Sequence, residues 1–166
     1  MLEWLRFEAP ANVNCLVNCL IVASDAGIRS IEFHGQPDAS GREGKSNPLL
    51  RQAVDQLRAY FAGELRDFDL SLDMQGTPFQ QRVWQQLLNI PYGRTCSYSF
   101  VATAIGAPAA VRAVGAANGR NPIPIVVPCH RVIGAGGSLV GYGGGLPLKR
   151  FLLDLETRPG RLFQEA

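Results

Sequence analysis

Apolar residues recur along this chain in two different rhythms, and the change between them comes near Gly76. Before it, the aliphatic run Cys15-Leu-Val-Asn-Cys-Leu-Ile-Val-Ala23 and the partly alternating Ile28-Arg-Ser-Ile-Glu-Phe33 are separated by the turn residues Asp25-Ala-Gly27. That pattern predicts two neighbouring antiparallel strands. The polar stretch from Gly35 to Pro48, with Pro37, Gly41 and Gly44, reads as an exposed loop. Leu50, Val54, Leu57 and Phe61 then follow helical spacing up to Gly63, so a helix is expected to lie on the small sheet. Phe68, Leu70 and Leu72 alternate with Asp67, Asp69, Ser71 and Asp73, the pattern of a further half-buried strand.

After Gly76 the period becomes helical. Thr77 is placed to cap a helix whose first residue is Pro78 and whose apolar stripe is Phe79, Val83, Trp84, Leu87 and Leu88, ended by Ile90-Pro-Tyr-Gly93. A second helix is expected over Ser99–Ile105, stopped by Gly106, and a third from Ala109 through Val111, Arg112 and Val114. Short helices joined by short turns, the last rich in alanine, predict a helix-turn-helix unit. The final third carries the apolar run Ile123–Val127, then Pro128-Cys-His-Arg-Val-Ile133, a glycine-dense loop from Gly134 to Gly145, and a closing helix marked by Leu148, Phe151, Leu152 and Leu155. The expected fold class is therefore α+β, with an N-terminal α/β unit over residues 1–75 and a mostly helical unit over 76–166.

A length of 166 residues suits one large domain or two small ones sharing an interface, and 46% hydrophobic residues are ample for a core. No apolar run approaches the roughly 20 residues that span a bilayer. The first residues, with Glu3 and Glu8, lack the ordered charged, apolar and cleavage regions of a leader. A cytoplasmic protein without membrane contact is the expectation, and with no repeat or apolar dimer helix in view, a monomer. The net charge of +2 hides a division: residues 1–75 hold 7 Lys/Arg against 11 Asp/Glu, and residues 76–166 hold 9 against 3. The second half is thus the candidate polyanion-binding half.

Four cysteines, at 15, 19, 96 and 129, occur without secretory context, so free thiols are expected. Cys15 and Cys19 sit among aliphatic residues and read as packing residues, and Cys96 as a bystander. Cys129 differs because His130 follows it directly, between an apolar run and a flexible loop that suit the wall and lid of a pocket. A thiolate is a soft nucleophile when a cationic or hydrogen-bonding neighbour stabilises it. Adjacent side chains need not face each other, so contact with His130 can run through a water, and Glu156 is a candidate third member that orients the imidazole. The residues alone leave open a buried structural pair, alkyl transfer to sulfur, and thiol hydrolysis. A zinc site is disfavoured, because no second clustered pair has ligand spacing.

Taken in order, Gly76-Thr-Pro-Phe-Gln80, Ile90-Pro-Tyr-Gly93, Arg112-Ala-Val-Gly115, Asn121-Pro122, Pro128-Cys-His-Arg-Val132 and Gly141-Tyr-Gly-Gly-Gly145 resemble the O6-alkylguanine-DNA alkyltransferase family in its stand-alone bacterial form. The resemblance covers Gly76 to Glu156, and Tyr60-Phe-Ala-Gly-Glu64 extends it more weakly into the first half. It implies a ribonuclease-H-like N-terminal fold without nuclease activity, and direct-reversal repair. The alkyl group of O6-alkylguanine in double-stranded DNA, with O4-methylthymine as a possible second substrate, would pass irreversibly to Cys129, with no cofactor or metal. In this reading His130 reaches Cys129 through water, Glu156 supports His130, and Asn121 shapes the turn before the active-site segment. Tyr98, Val132, Tyr142 and Gly143 contact the extruded base, Gly143 standing where relatives carry serine. Arg112 enters the base stack, and Ala109, Ala110, Ala113, Ala116 and Ala117 let the helix approach the minor groove. The rivals are a lesion-binding protein without chemistry, which Cys129 argues against, and a Cys-His-Glu hydrolase.

Overall fold

A computed structural model describes residues 1–10, 13 and 17–158. Its N-terminal part is a four-stranded sheet of order β3-β2-β1-β4, built from β1 (Glu3–Glu8), β2 (Asn18–Ala23), β3 (Ile28–Phe33) and β4 (Arg42–Glu43). β2 pairs antiparallel with both β1 and β3, and β4 adds a short parallel edge to β1. The two expected strands are thus present, β2 beginning at Asn18; Cys15 lies outside the described residues. β1 was not expected. Its alternation is blurred because Trp4 lies on the face opposite Leu5 and Phe7, of which Phe7 is buried. β4 falls in the stretch read as loop.

α1 (Pro48–Phe61) crosses the sheet as its spacing predicts, with Asn47 accepting from the Leu49 and Leu50 amides at its N-terminus. Leu50, Leu57, Tyr60 and Phe61 are all fully buried, and the Phe61 ring stacks on Phe7 at 5.8 Å. The strand expected at Phe68–Leu72 is a correction: only Leu72 forms a bridge, with Ile28. Around that bridge the Ser71 carbonyl and the Asp73 amide bond the Ile28 backbone, whereas at Asp69 side chains of α1 hold the chain instead. Gln56 bonds both the amide and the carbonyl of Asp69, and Gln52 donates to the same carbonyl, which satisfies groups that a strand partner would otherwise take.

The second half contains α2 (Pro78–Leu87), α3 (Tyr98–Ala104), α4 (Val111–Gly119) and α5 (Leu146–Thr157), with a small parallel pair of β5 (Cys96–Ser97) and β6 (Val132–Ile133). Thr77 and Gln80 form a reciprocal capping box at the start of α2, as the Thr-Pro-x-Gln order allows. The Trp84 indole donates to the Ala117 carbonyl at 2.9 Å and locks α2 to α4. Leu88, counted in the apolar stripe, is exposed. α4 starts two residues later than expected, leaving Ala109 and Ala110 in the preceding turn.

The two halves share one apolar core. Phe61 of α1 meets Phe151 of α5 at 6.3 Å, Phe33 of β3 meets Tyr142 at 5.8 Å, and the Ile31 amide donates to the Pro122 carbonyl. The sheet is therefore a wall against which the glycine-rich loop is laid. No helix among the described residues is long and apolar enough to cross a membrane.

Candidate active site

α4 runs out at Gly119, and Asn121 turns the chain: its Oδ1 accepts from the Ile123 amide at 3.0 Å and its Nδ2 donates to the Val127 carbonyl at 2.7 Å. One amide side chain thereby closes the Pro122–Val127 excursion, in which Ile125 takes φ 74°, an unusual backbone for a β-branched residue. Ile123, Ile125, Val126 and Val127 are buried, so the apolar run carries the next residues into the core. Cys129 begins a single 3₁₀ turn there, 6% exposed, at the floor of a cavity of about 490 Å³. The cavity wall is Ile31 and Phe33 of β3 on one side, Gly115 and Asn118 of α4 on another, and Val140–Gly143 with Tyr98 at the mouth.

His130 points the other way, fully buried, with Nε2 at 3.1 and 3.0 Å from the two carboxylate oxygens of Glu156. The same carboxylate receives the Arg131 Nε at 2.7 Å and a second, very short bond from its Nη2. Arg131 also donates to the Ile90 carbonyl and lies over the Tyr92 ring, so it is a structural ion-pair partner of Glu156. With the proton of the neutral imidazole on Nε2, the Nδ1 lone pair is left buried and without a partner among the described residues. The Tyr142 hydroxyl and the Asn118 Oδ1 are likewise buried and unpartnered.

Burial dominates the proton affinities. It pushes the Cys129 thiol up to about 11, against the opposing pull of the Asn121 side chain, Lys149 and local backbone bonds. Burial also lowers His130 below its ordinary value, although Glu156 works to raise it. Glu156 is held below the usual carboxylate value despite its own burial, because His130 and Arg131 both bond its charged form. The resting site is therefore a neutral thiol and a neutral imidazole backed by a carboxylate.

Sequence reasoning missed Lys149. It is fully buried in α5, and its ammonium donates to the carbonyls of Val132 (2.8 Å), Val140 (3.1 Å) and Gly141 (3.4 Å). A signal was available: Lys149 and Glu156 are seven apart, two turns along one helix face, and that face also carries Leu152. Among the described residues no group of three or more His, Cys, Asp or Glu side chains is placed to hold a metal ion.

Residues 78–158 match the family described as 6-O-methylguanine DNA methyltransferase, DNA binding domain, and residues 16–74 match its ribonuclease-like domain. The chain belongs to the 6-O-methylguanine DNA methyltransferase family. A methylated-DNA–protein-cysteine methyltransferase of Mycobacterium tuberculosis is 69% identical over 104 residues, a stretch that is 63% of this chain and 63% of that relative. The namesake from Mycolicibacterium paratuberculosis is 50% identical over 159 residues, 95% of this chain and 94% of the relative. Among solved structures, that of M. tuberculosis OGT in complex with DNA superposes with a TM-score of 0.80 at 46% identity, covering 94% of this chain and 92% of that one.

The remaining residues singled out by the methyltransferase resemblance are distributed as follows. Tyr98, Tyr142 and Gly143 line the cavity, and the Tyr98 hydroxyl donates to the Val140 carbonyl at 3.3 Å. Val132 does not line it; its side chain is fully buried in the core, and its carbonyl serves Lys149. On α4, Arg112, Ala113 and Ala116 form an exposed face, and Ala109 is exposed in the turn before it. Ala117 is a correction. It faces inward, because its turn of α4 packs on Trp84.

Proposed function

We propose that this chain repairs alkylated DNA as a methylated-DNA–protein-cysteine methyltransferase, consuming itself in one event. The observation that carries the reading is Cys129 at the floor of an uncharged cavity, directly followed by a buried His130 whose far nitrogen is fixed on Glu156. Burial keeps the thiol protonated until a substrate arrives. His130, whose Nδ1 lone pair is uncommitted, then takes the Cys129 proton through water, and Glu156 stabilises the imidazolium. The sulfur attacks the methyl carbon of O6-methylguanine, forming S–CH₃ as the O6–CH₃ bond breaks. The released guanine takes up one proton, delivered from the Tyr98 hydroxyl, which burial keeps protonated, and replaced from His130. The balance is a thiol and an alkylated base converted to a thioether and guanine. The thioether has no route back.

In this reading the base is extruded from duplex DNA into the cavity, Tyr142 stacks beside it, and the Gly143 amide replaces a side-chain donor. α3 and α4 act as the helix-turn-helix, with Arg112 filling the gap in the base stack while Ala109, Ala110, Ala113 and Ala116 allow close approach along the minor groove. Binding is then nearly independent of sequence and weakened by salt. Residues 1–75 are the ribonuclease-H-like unit and 76–166 the reactive one, working as a cytoplasmic monomer.

The test is intact-protein and peptide mass spectrometry after mixing the chain with a duplex holding one O6-methylguanine. One methyl in place of the thiol hydrogen is expected on the Cys129 peptide, in stoichiometric yield and absent from Cys129→Ser. Tight lesion binding by folded protein with no mass gain would replace alkyl transfer with lesion recognition alone.

A further inference from the structure

Lys149 is a buried cation without an ion-pair partner. Its side chain is wholly inside, and among the described residues no carboxylate lies within salt-bridge distance of the ammonium. All three of its N–H bonds go to neutral carbonyl oxygens. Burying a charge this way costs several kcal/mol, and the nearby Arg131 shows the usual remedy, a carboxylate in contact. Glu156, the acid on the same helix face, is committed to Arg131 and His130. Something else must make a cation at 149 worth keeping.

Position supplies the reason. Val132 begins the strand directly after the Cys129–Arg131 turn, and Val140 and Gly141 form the lip of the cavity over the same sulfur. One ammonium therefore ties the floor of the site to its lip, and Tyr98 reinforces the lip through the same Val140 carbonyl. The anion that forms in this space during transfer is the Cys129 thiolate. The charged and titratable groups around that sulfur are Lys149 from α5, Tyr98 from α3, Tyr142 from the loop and His130 from the same 3₁₀ turn, with Glu156 and Arg131 behind the imidazole.

We infer that Lys149 is a positioning residue for alkyl transfer: it holds the Val140–Gly141 lip against the strand that follows Cys129 and places a fixed positive charge beside the sulfur as it loses its proton. This deepens the transferase reading and rests on it. Burial lowers the Lys149 ammonium below its ordinary value and raises the Cys129 thiol above its own, and in each case the other group opposes the effect of burial, consistent with that placement. The imidazole relay removes the proton; the lysine stabilises what is left behind.

The experiment follows carboxamidomethylation of Cys129 by iodoacetamide against pH, without DNA, in the full chain and in Lys149→Met and Lys149→Arg, beside single-turnover transfer from a methylated duplex. Lys149→Met is expected to move the thiol profile up by about one pH unit and to slow transfer at least about tenfold. Lys149→Arg keeps the profile near that of the parent, since the charge remains. A folded Lys149→Met with the parent's profile overturns the inference. Should the methionine variant fail to fold, the reciprocal measurement decides: the Lys149 side-chain carbon resonance, titrated by NMR, shifts its midpoint lower in Cys129→Ala than in the parent, and equal midpoints refute the coupling. If the unmodified chain takes up no methyl, the transferase reading falls while the thiol profile and the lysine titration still report on the coupling.

Discussion

The two sides of Cys129 are built on opposite plans. Behind it, His130, Glu156 and Arg131 form a closed cluster in which a neutral imidazole and a guanidinium share one carboxylate. In front, toward the cavity, Lys149 and Tyr98 hold a glycine-rich lip only through backbone carbonyls. The closed side has its charges matched before any substrate arrives and so contributes to the stability of the fold. The open side leaves a cation unmatched and can respond when an anion forms on sulfur. Mutations on the first side should therefore damage folding first, and mutations on the second side chemistry first.

The largest expected effect is that of Glu156→Gln. It leaves the Arg131 guanidinium buried without its carboxylate and strips His130 of its fixed partner, so a loss of roughly 3–5 kcal/mol of unfolding free energy is predicted from urea denaturation. A loss below about 1 kcal/mol would show that the cluster does not carry stability, and the contrast between the two sides would fail.

pH separates the sides without mutation. His130 and Glu156 both bind protons less readily folded than unfolded, so their stabilisation is complete above about pH 6.5 and is lost as pH falls, first through the histidine range and then below 4.5. Cys129 has the opposite sign. Its thiol is raised from 9.0 to about 11 by burial, so its contribution is intact below pH 9 and is lost as pH rises toward 11. Melting temperature against pH should therefore fall on both flanks. Glu156→Gln is expected to remove the part of the acid flank below about pH 4.5 and, by withdrawing the carboxylate that raises His130, to steepen the part in the histidine range; Cys129→Ala should flatten part of the alkaline flank, with buried Cys19, raised to about 12, keeping the rest. A variant that alters the wrong flank would reverse the assignment.

How far these sides were legible in the sequence differs in the same way. Thr77-Pro-x-Gln80, the α1 stripe and the closing helix announce themselves by spacing, because capping and helical burial are local rules. Cys129, His130 and Glu156 stood out as residue types, and their meeting is a product of the fold. Lys149 was hidden because a lysine beside an apolar stripe reads as a surface residue unless the carbonyls that surround it are known. β1 and the segment at 68–72 were obscured for a related reason: whether an alternating stretch pairs as a strand depends on the partners available, and at Asp69 the glutamines of α1 took the bonds.

The smallest effect sharpens the contrast from the open side. Tyr98→Phe removes one hydroxyl that donates 3.3 Å to Val140, a carbonyl that Lys149 also serves, while the ring, half-buried beside Gly115, stays in place. Because the acceptor keeps another donor, the variant should lose no more than about 1 kcal/mol of stability in the same urea titration. Transfer from a methylated duplex should nevertheless slow by about tenfold or more, since the leaving guanine loses its proton source. Equal and small losses in both measurements would reduce Tyr98 to a tether of the lip. A large loss of stability would place it with the closed cluster, and the boundary between the two sides would have to be drawn through the cavity itself rather than behind the sulfur.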